Sequence, residues 1–158
     1  MTMTKTSMSP HMSALPMGVV GLFAAATDLA GRFPLWIVLL MARVAAGEVF
    51  WKSGQTKLAS WETTILLFAN EYQVPVLSPE MAATLATATE IGCAVLLFAG
   101  LGSRFAAGAL LGLVAVIQLF VYPGSWAEHL LWATLLVLIA TRGAGLLSID
   151  HAIRRWFS

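Results

Sequence analysis

Three charged side chains lie inside one apolar run of the sequence, and their spacing indicates a site within that run. Arg43, Glu48 and Lys52 interrupt the stretch PLWIVLLMARVAAGEVFWKSG. A charge at the centre of a bilayer costs roughly 3 kcal/mol, so such residues commonly mark an ion pair or a functional site. Glu48 and Lys52 are spaced i,i+4 with the glutamate first, which favours an ion pair on one helix face.

A fourth charge, Glu90, interrupts a second apolar run, TLATATEIGCAV. At 1.5 Å per residue, Arg43 lies roughly 12 Å and Glu90 roughly 15 Å from the same end of their helices. These similar depths predict an intramembrane ion pair between Arg43 and Glu90. Two readings are open, a static pair that fixes the register of the helices or a pair that belongs to a functional site.

The other polar residues are predicted to collect in the outer half of the helices. There they form a candidate polar cavity, lined by Glu48, Lys52, Gln55, Gln118, Tyr122 and His129. Such a cavity could hold a quinone head group, a small acid or a proton path. In the alternative reading, Lys52 extends toward the headgroups and His129 is an interface residue beside Glu128.

The composition indicates an integral membrane protein. Of the 158 residues, 59% are hydrophobic and only 11% are charged, whereas soluble domains average about 25% charged residues. The net charge of +1 gives no reason to expect nucleic acid as a partner. A single cysteine excludes an intrachain disulfide and covalent haem attachment, and three scattered histidines predict no metal site.

Apolar segments separated by Pro, Gly and Ser residues predict the architecture. A spanning helix needs about 20 apolar residues, and very short connections imply antiparallel neighbours. The predicted fold is therefore all-α, an integral-membrane up-down four-helix bundle over residues 34–142 with short interfacial helices at both ends. Its spans are expected at about 35–55, 81–100, 105–122 and 126–141.

The remaining segments are predicted to lie at the membrane surfaces. Residues 1–33 form an N-terminal tail with an interfacial helix, without the features of a cleaved signal peptide. Residues 57–79 form an outer loop with an amphipathic stretch. Residues 143–158 form a short amphipathic helix with Ser148 as its N-cap.

The distribution of Lys and Arg predicts the orientation. In a four-span arrangement, one side carries most of the positive charges: Lys5, Arg32, Arg104, Arg142, Arg154 and Arg155. The positive-inside rule places this side, and both termini, in the cytoplasm.

Three stretches of the sequence resemble the DoxX family of membrane proteins. They are RVAAGEVFWKSGQTKLASW, the run from EYQVPVLSPEM to GLGSRFAAGAL, and FVYPGSWAEHLLWATLLVLIATRGAGLLSID. The resemblance covers about residues 35–152 and implies a small four-helix protein of the bacterial inner membrane. The matching motif positions carry no settled catalytic role and are occupied here by Arg43, Lys52, Lys57, Glu90 and His129.

The resemblance leaves three functions open. Some members of the family are subunits of oxidoreductases, such as thiosulfate:quinone oxidoreductase, or partners of oxidative- and metal-stress proteins. The first function is therefore the membrane subunit or quinone-linked partner of such a redox system, with quinone as the cofactor and a soluble protein as the partner. The second is a non-enzymatic scaffold, and the third is a small-solute transporter. A GxxxG pattern at Gly108 and Gly112 is compatible with a homodimer in the bilayer.

Overall fold

The computed structural model describes residues 18–157, and the chain forms two units, residues 1–34 and residues 35–158. The predicted N-terminal tail lies outside the described residues as far as residue 17, as does Ser158 at the other end. In the first unit, helix α1 spans Val19–Gly31 and buries none of its residues. An exposed ion pair joins Arg32 to Asp28 at 2.7 Å.

The second unit is helical throughout its regular structure, with no strand among its described residues. Its elements in chain order are α2 (Leu35–Ala59), α3 (Trp61–Leu67), π1 (Phe68–Tyr72), α4 (Pro79–Ala99), α5 (Ser103–Val116), π2 (Ile117–Val121), α6 (Trp126–Arg142) and α7 (Ile149–Trp156). The segments π1 and π2 are single π-helical turns, a geometry that often occurs at functional sites. Most of the predicted outer loop 57–79 is thus helical.

Local sequence signals determine where these helices begin and end. Pro79 occupies the first turn of α4, and the Ser78 hydroxyl accepts a hydrogen bond from the Met81 N–H at 3.3 Å. Gly100 ends α4 in a left-handed conformation with φ +67°. At the other end of the chain, Ser148 caps α7 as predicted, because its hydroxyl accepts a hydrogen bond from the His151 N–H.

The long helices pack as successive pairs around one core. Contacts join α2 to α4, α4 to α5, α5 to α6 and α6 back to α2. The largest fully buried apolar side chains of this core are Phe50, Leu97, Leu110, Leu136 and Ile139.

The approach of α2 to α4 is unusually close at two glycines. A Cβ atom on Gly47 would come within 2.7 Å of the Phe98 ring, and one on Gly54 within 2.6 Å of the Ile91 side chain. Gly47 and Gly54 therefore lie on the face of α2 that packs against α4, and a larger residue at either position would displace the Phe98 or Ile91 side chain.

Two helical segments are long and apolar enough to cross a membrane. They are Pro79–Ala99 and the continuous Ser103–Val121, which combines α5 and π2. α1 and α2 pass the same test of length and composition only when they are taken together as one broken span. α2 does not pass the test by itself because its charged residues reduce its hydropathy. α6 does not pass because, with 17 residues, it is too short.

Candidate functional site

The centre of the candidate site is an ion pair between α2 and α4. The Lys57 ammonium lies 2.8 Å from each carboxylate oxygen of Glu90. It also donates a hydrogen bond to the Ser53 hydroxyl at 2.8 Å, and that hydroxyl donates one to Glu90 at 3.1 Å. The Glu90 side chain is 2% exposed and the Lys57 side chain 17%. All three N–H groups of the Lys57 ammonium therefore have a hydrogen-bond acceptor, which a charge shielded from solvent requires.

A cavity of about 350 Å³ lies against this ion pair. Its walls are formed by α2, α4, α5, α6 and both π-helical turns, and they are mainly apolar, with aromatic rings from Phe50, Phe68 and Trp132. Among the described residues that line the cavity, those with polar side chains are Ser53, Lys57, Tyr72, Thr89, Glu90 and Tyr122. Few polar groups in an apolar wall are typical of pockets that bind small molecules, which range over roughly 300–1,000 Å³.

Two tyrosines from the π-helical turns close one side of the cavity. Tyr72 ends π1 and Tyr122 follows π2, and their rings are 5.7 Å apart in an edge-to-face arrangement. The Tyr122 hydroxyl donates a hydrogen bond to the Glu71 carboxylate at 2.9 Å and lies 3.4 Å from the Tyr72 hydroxyl. This hydrogen bond joins the residue after π2 to the last turn of π1.

Gln118 and His129 meet in the structure, but behind the cavity wall. The Gln118 amide donates to the Pro123 carbonyl at 2.8 Å, so its oxygen is the atom that faces the His129 Nδ1 at 2.6 Å. His129 Nδ1 must therefore carry the proton of this hydrogen bond. The His129 ring packs against Trp132, with the two ring centroids 5.2 Å apart, and Trp132 itself lines the cavity. Gln118 and His129 therefore pack behind the wall residues and do not line the cavity themselves.

Glu48, Lys52 and Gln55 do not belong to the cavity. Glu48 and Lys52 form an i,i+4 ion pair at 2.6 Å, with 57% and 72% of their side chains exposed. Gln55 is exposed as well. Of the six residues predicted to line a polar cavity, the structure places only Tyr122 in the wall.

Arg43 and Glu90 do not form the predicted ion pair in the structure. Arg43 instead donates hydrogen bonds to the carbonyls of Ala144 and Leu147, at 2.7 and 2.9 Å. Its guanidinium lies beside Gly100, where an added Cβ would be 2.6 Å from it. Glu90 precedes Gly100 by about ten residues of α4, so it lies roughly 15 Å from the position of the Arg43 guanidinium along that helix. The prediction counted depth from the two helix ends, but α2 extends well beyond the end of α4.

The residues that sequence reasoning missed at the cavity are Ser53, Lys57, Tyr72 and Thr89. A signal for the first two was present in the sequence. Gly47 and Gly54 are seven residues apart and so lie on one face of α2, and Ser53 and Lys57 flank that face. Small residues on a membrane helix commonly mark its contact with a neighbour, which would have directed Lys57 toward α4. No comparable local pattern indicates Tyr72 or Thr89.

These features define a helical membrane protein with a mainly apolar cavity beside a shielded ion pair. Among the described residues, no group of His, Cys, Asp and Glu side chains is arranged to hold a metal ion. The DoxX family model matches residues 38–123, more than half of the chain, and the protein belongs to the DoxX family. The match confirms the family resemblance and includes Arg43, Lys57 and Glu90, but it ends before His129. No curated protein and no solved structure matches the chain.

Proposed function

We propose that this protein binds a quinone in the cavity beside Lys57 and Glu90, as the membrane subunit or quinone-linked partner of a redox or metal-stress system. The observation that carries the proposal is the cavity itself, about 350 Å³ of mainly apolar space with a few polar groups grouped on its wall. A quinone has the matching chemistry, because its ring and tail are apolar and its two carbonyl oxygens accept hydrogen bonds.

The wall offers both kinds of contact that a quinone needs. The rings of Phe50, Phe68 and Trp132 can pack against the quinone ring. The Thr89 hydroxyl lines the cavity and has no hydrogen-bond partner among the described residues, so it is available to donate to a carbonyl oxygen.

The ion pair supplies the titratable groups. A bound quinone would supply electron-accepting chemistry, and its reduction consumes protons. Lys57 and Glu90 lie at the wall as a hydrogen-bonded charged pair, and either group can exchange a proton with a ligand there once a hydrogen bond of the pair is broken. The sequence contains no motif for flavin, haem or iron–sulfur binding, so the electrons are assigned to a partner protein. A soluble redox or metal-stress protein is the partner that we propose.

Filling the cavity tests this function. Gly112 lines the cavity, and a Cβ atom built on it meets nothing within 4 Å, so the leucine of Gly112→Leu extends into the space that a ligand would occupy. We expect the protein purified from native membranes in mild detergent to contain quinone after solvent extraction and chromatography, and Gly112→Leu to retain at most about a tenth of it. A loss of that size corresponds to about 1.4 kcal/mol of binding free energy.

Gly108→Leu is the matched control. Gly108 lies one turn earlier on α5, has equally open space around its Cβ position and does not line the cavity. It should keep the wild-type quinone content. Absence of quinone from the wild type, or equal losses in both variants, would contradict quinone binding and leave a scaffold or a transporter as the function to test.

We propose that the four long helices cross the bacterial inner membrane as an up-down bundle with both termini in the cytoplasm. The positive charges at one end of the packed helices support this orientation. Arg104 lies in the first turn of α5 and donates a hydrogen bond to the carbonyl of Thr141 near the end of α6. Arg142 is the last residue of α6. The opposite end carries the acidic residues Glu71 and Glu128. Such an asymmetry is typical of cytoplasmic and outer surfaces.

We also propose that the protein forms a homodimer through the exposed polar face of α2. Charged side chains in a membrane helix rarely face lipid, yet Glu48 and Lys52 are exposed on α2. A twofold axis along the membrane normal keeps each residue at the same depth in both copies, so Glu48 of one copy lies about 6 Å in depth from Lys52 of the other and can pair with it diagonally. The test of this proposal is given in the Discussion.

A further inference from the structure

We infer that the cytoplasmic end of the helices, as oriented above, contains a binding site for the phosphate group of an anionic phospholipid. A second cavity, of about 380 Å³, lies between the start of α2, the end of α6 and α7. It shares no lining residue with the first cavity, which borders Lys57 at the other end of α2. The site does not depend on the proposed quinone function.

Basic side chains converge on this second cavity. Arg142 enters from the end of α6, and His151 and Arg154 enter from α7. The side chains of Arg142 and His151 form no hydrogen bond or ion pair with any described residue. Arginine and histidine side chains are common donors to phosphate oxygens. Side chains without internal partners are available for such a ligand.

One carboxylate also lines this cavity, and it is already engaged elsewhere. Asp150 accepts hydrogen bonds from the N–H groups of Gly102 and Ser103, at 2.8 and 3.2 Å. These bonds satisfy the start of α5, where a negative charge is favoured by the helix dipole. The side chains that remain available to a ligand in the cavity therefore include those of Arg142 and His151.

The surroundings of the cavity favour a lipid over a free anion. Trp36 and Leu39 form its apolar side. On α7, Ile153 is 45% exposed and Trp156 is 87% exposed, next to the basic residues of the same helix. An amphipathic helix of this kind lies at the membrane surface with its apolar side in the acyl region. The cavity would then be at headgroup level, where basic pockets bind anionic lipids.

The test uses the full chain purified in detergent and titrated with phosphatidylglycerol or phosphatidylcholine of the same acyl chains. Binding is measured by native mass spectrometry. We expect phosphatidylglycerol to bind more tightly than phosphatidylcholine, and Arg142→Gln to weaken its binding roughly tenfold, as the loss of a charge-assisted hydrogen bond predicts. His151→Gln should weaken it as well, so the result does not depend on a single variant.

Arg155→Gln is the matched control, because Arg155 lies on the same helix and does not line the cavity. It should leave phosphatidylglycerol binding unchanged, and all variants should keep the wild-type melting temperature in phosphatidylcholine. Equal weakening by Arg155→Gln would show a diffuse charge effect and overturn the proposal. Displacement of the lipid by millimolar inorganic phosphate would assign the site to a free anion and overturn the lipid as its occupant.

Discussion

Glu90 and Glu48 show how differently two carboxylates in apolar helices can be used. Glu90 is 2% exposed and is held by the Lys57 ammonium and the Ser53 hydroxyl. Glu48 is 57% exposed and has only Lys52 as its ion-pair partner. The first carboxylate depends on its partner inside the protein, whereas the second can be satisfied by groups outside the chain.

This difference gives a prediction for the two lysines of α2. Lys57→Met leaves the shielded Glu90 carboxylate without its counter-charge, and we expect it to lower the free energy of unfolding by about 3 kcal/mol. Lys52→Met removes an exposed partner and should leave the stability of the isolated chain nearly unchanged. Thermal unfolding in detergent, followed by circular dichroism, measures both effects.

A double variant separates loss of charge balance from loss of packing. Lys57→Met combined with Glu90→Leu replaces the pair with apolar side chains, which often restores the stability that one unpaired charge removes. We therefore expect the double variant to be more stable than Lys57→Met alone. If Lys57→Met and Lys52→Met melt at the same temperature, the Lys57–Glu90 pair does not stabilise the fold.

At the scale of elements, α2 has two faces with different tasks. The face that carries Gly47 and Gly54 packs against α4, and Ser53 and Lys57 reach the first cavity beside it. The opposite face carries exposed polar side chains. Arg43 adds a third task near the start of the helix, because its bonds to the carbonyls of residues 144 and 147 hold the segment that leads into α7.

Charge exchange on the exposed face tests the proposed dimer. Glu48→Lys or Lys52→Glu alone places like charges diagonally across the twofold interface, and we expect each to convert dimers to monomers. Combining the two substitutions restores opposite charges and should restore the dimer. Single-molecule photobleaching of labelled protein in native membrane nanodiscs counts the copies.

Glu80→Lys provides the control for net charge. Glu80 is an exposed residue of the first turn of α4 and not part of the polar face of α2, so the substitution should leave the dimer intact. A wild-type protein that is monomeric, or single variants of Glu48 and Lys52 that remain dimeric, would refute an interface on this face.

At the scale of the molecule, the two cavities lie at opposite ends of α2. Trp36 borders the second cavity and Lys57 the first, and the intervening helix is roughly 30 Å long, about the thickness of the hydrocarbon core. In the proposed orientation, the proposed quinone site lies in the outer half of the membrane and the proposed phosphate site lies at the cytoplasmic surface.

Cysteine labelling tests this orientation. The sequence has one cysteine, Cys93, which is buried, so new cysteines can be placed against a low background. We expect a membrane-impermeant maleimide to label Gln73→Cys in intact spheroplasts, and to label Arg155→Cys only after permeabilisation. The reverse pattern would place the termini outside and contradict the proposed topology.

The sequence by itself determined the helical membrane class, the family and the main helix boundaries. These properties depend on local information, because apolar length, Pro79, Gly100 and the Ser148 cap act on neighbouring residues. The motifs of the family are likewise short stretches of sequence. The all-helical fold of the described residues confirms the helical class, and the DoxX match confirms the family.

Only the tertiary structure decided which charges meet. The partner of Glu90 is Lys57 and not Arg43, because α2 packs on α4 with Gly47 at Phe98 and Gly54 at Ile91, a register that counting from helix ends does not give. The cavity likewise brings together residues from several helices that are distant in sequence. Register and cavity shape are properties of packed surfaces, so they follow from the fit between helices and not from the pattern along any one of them.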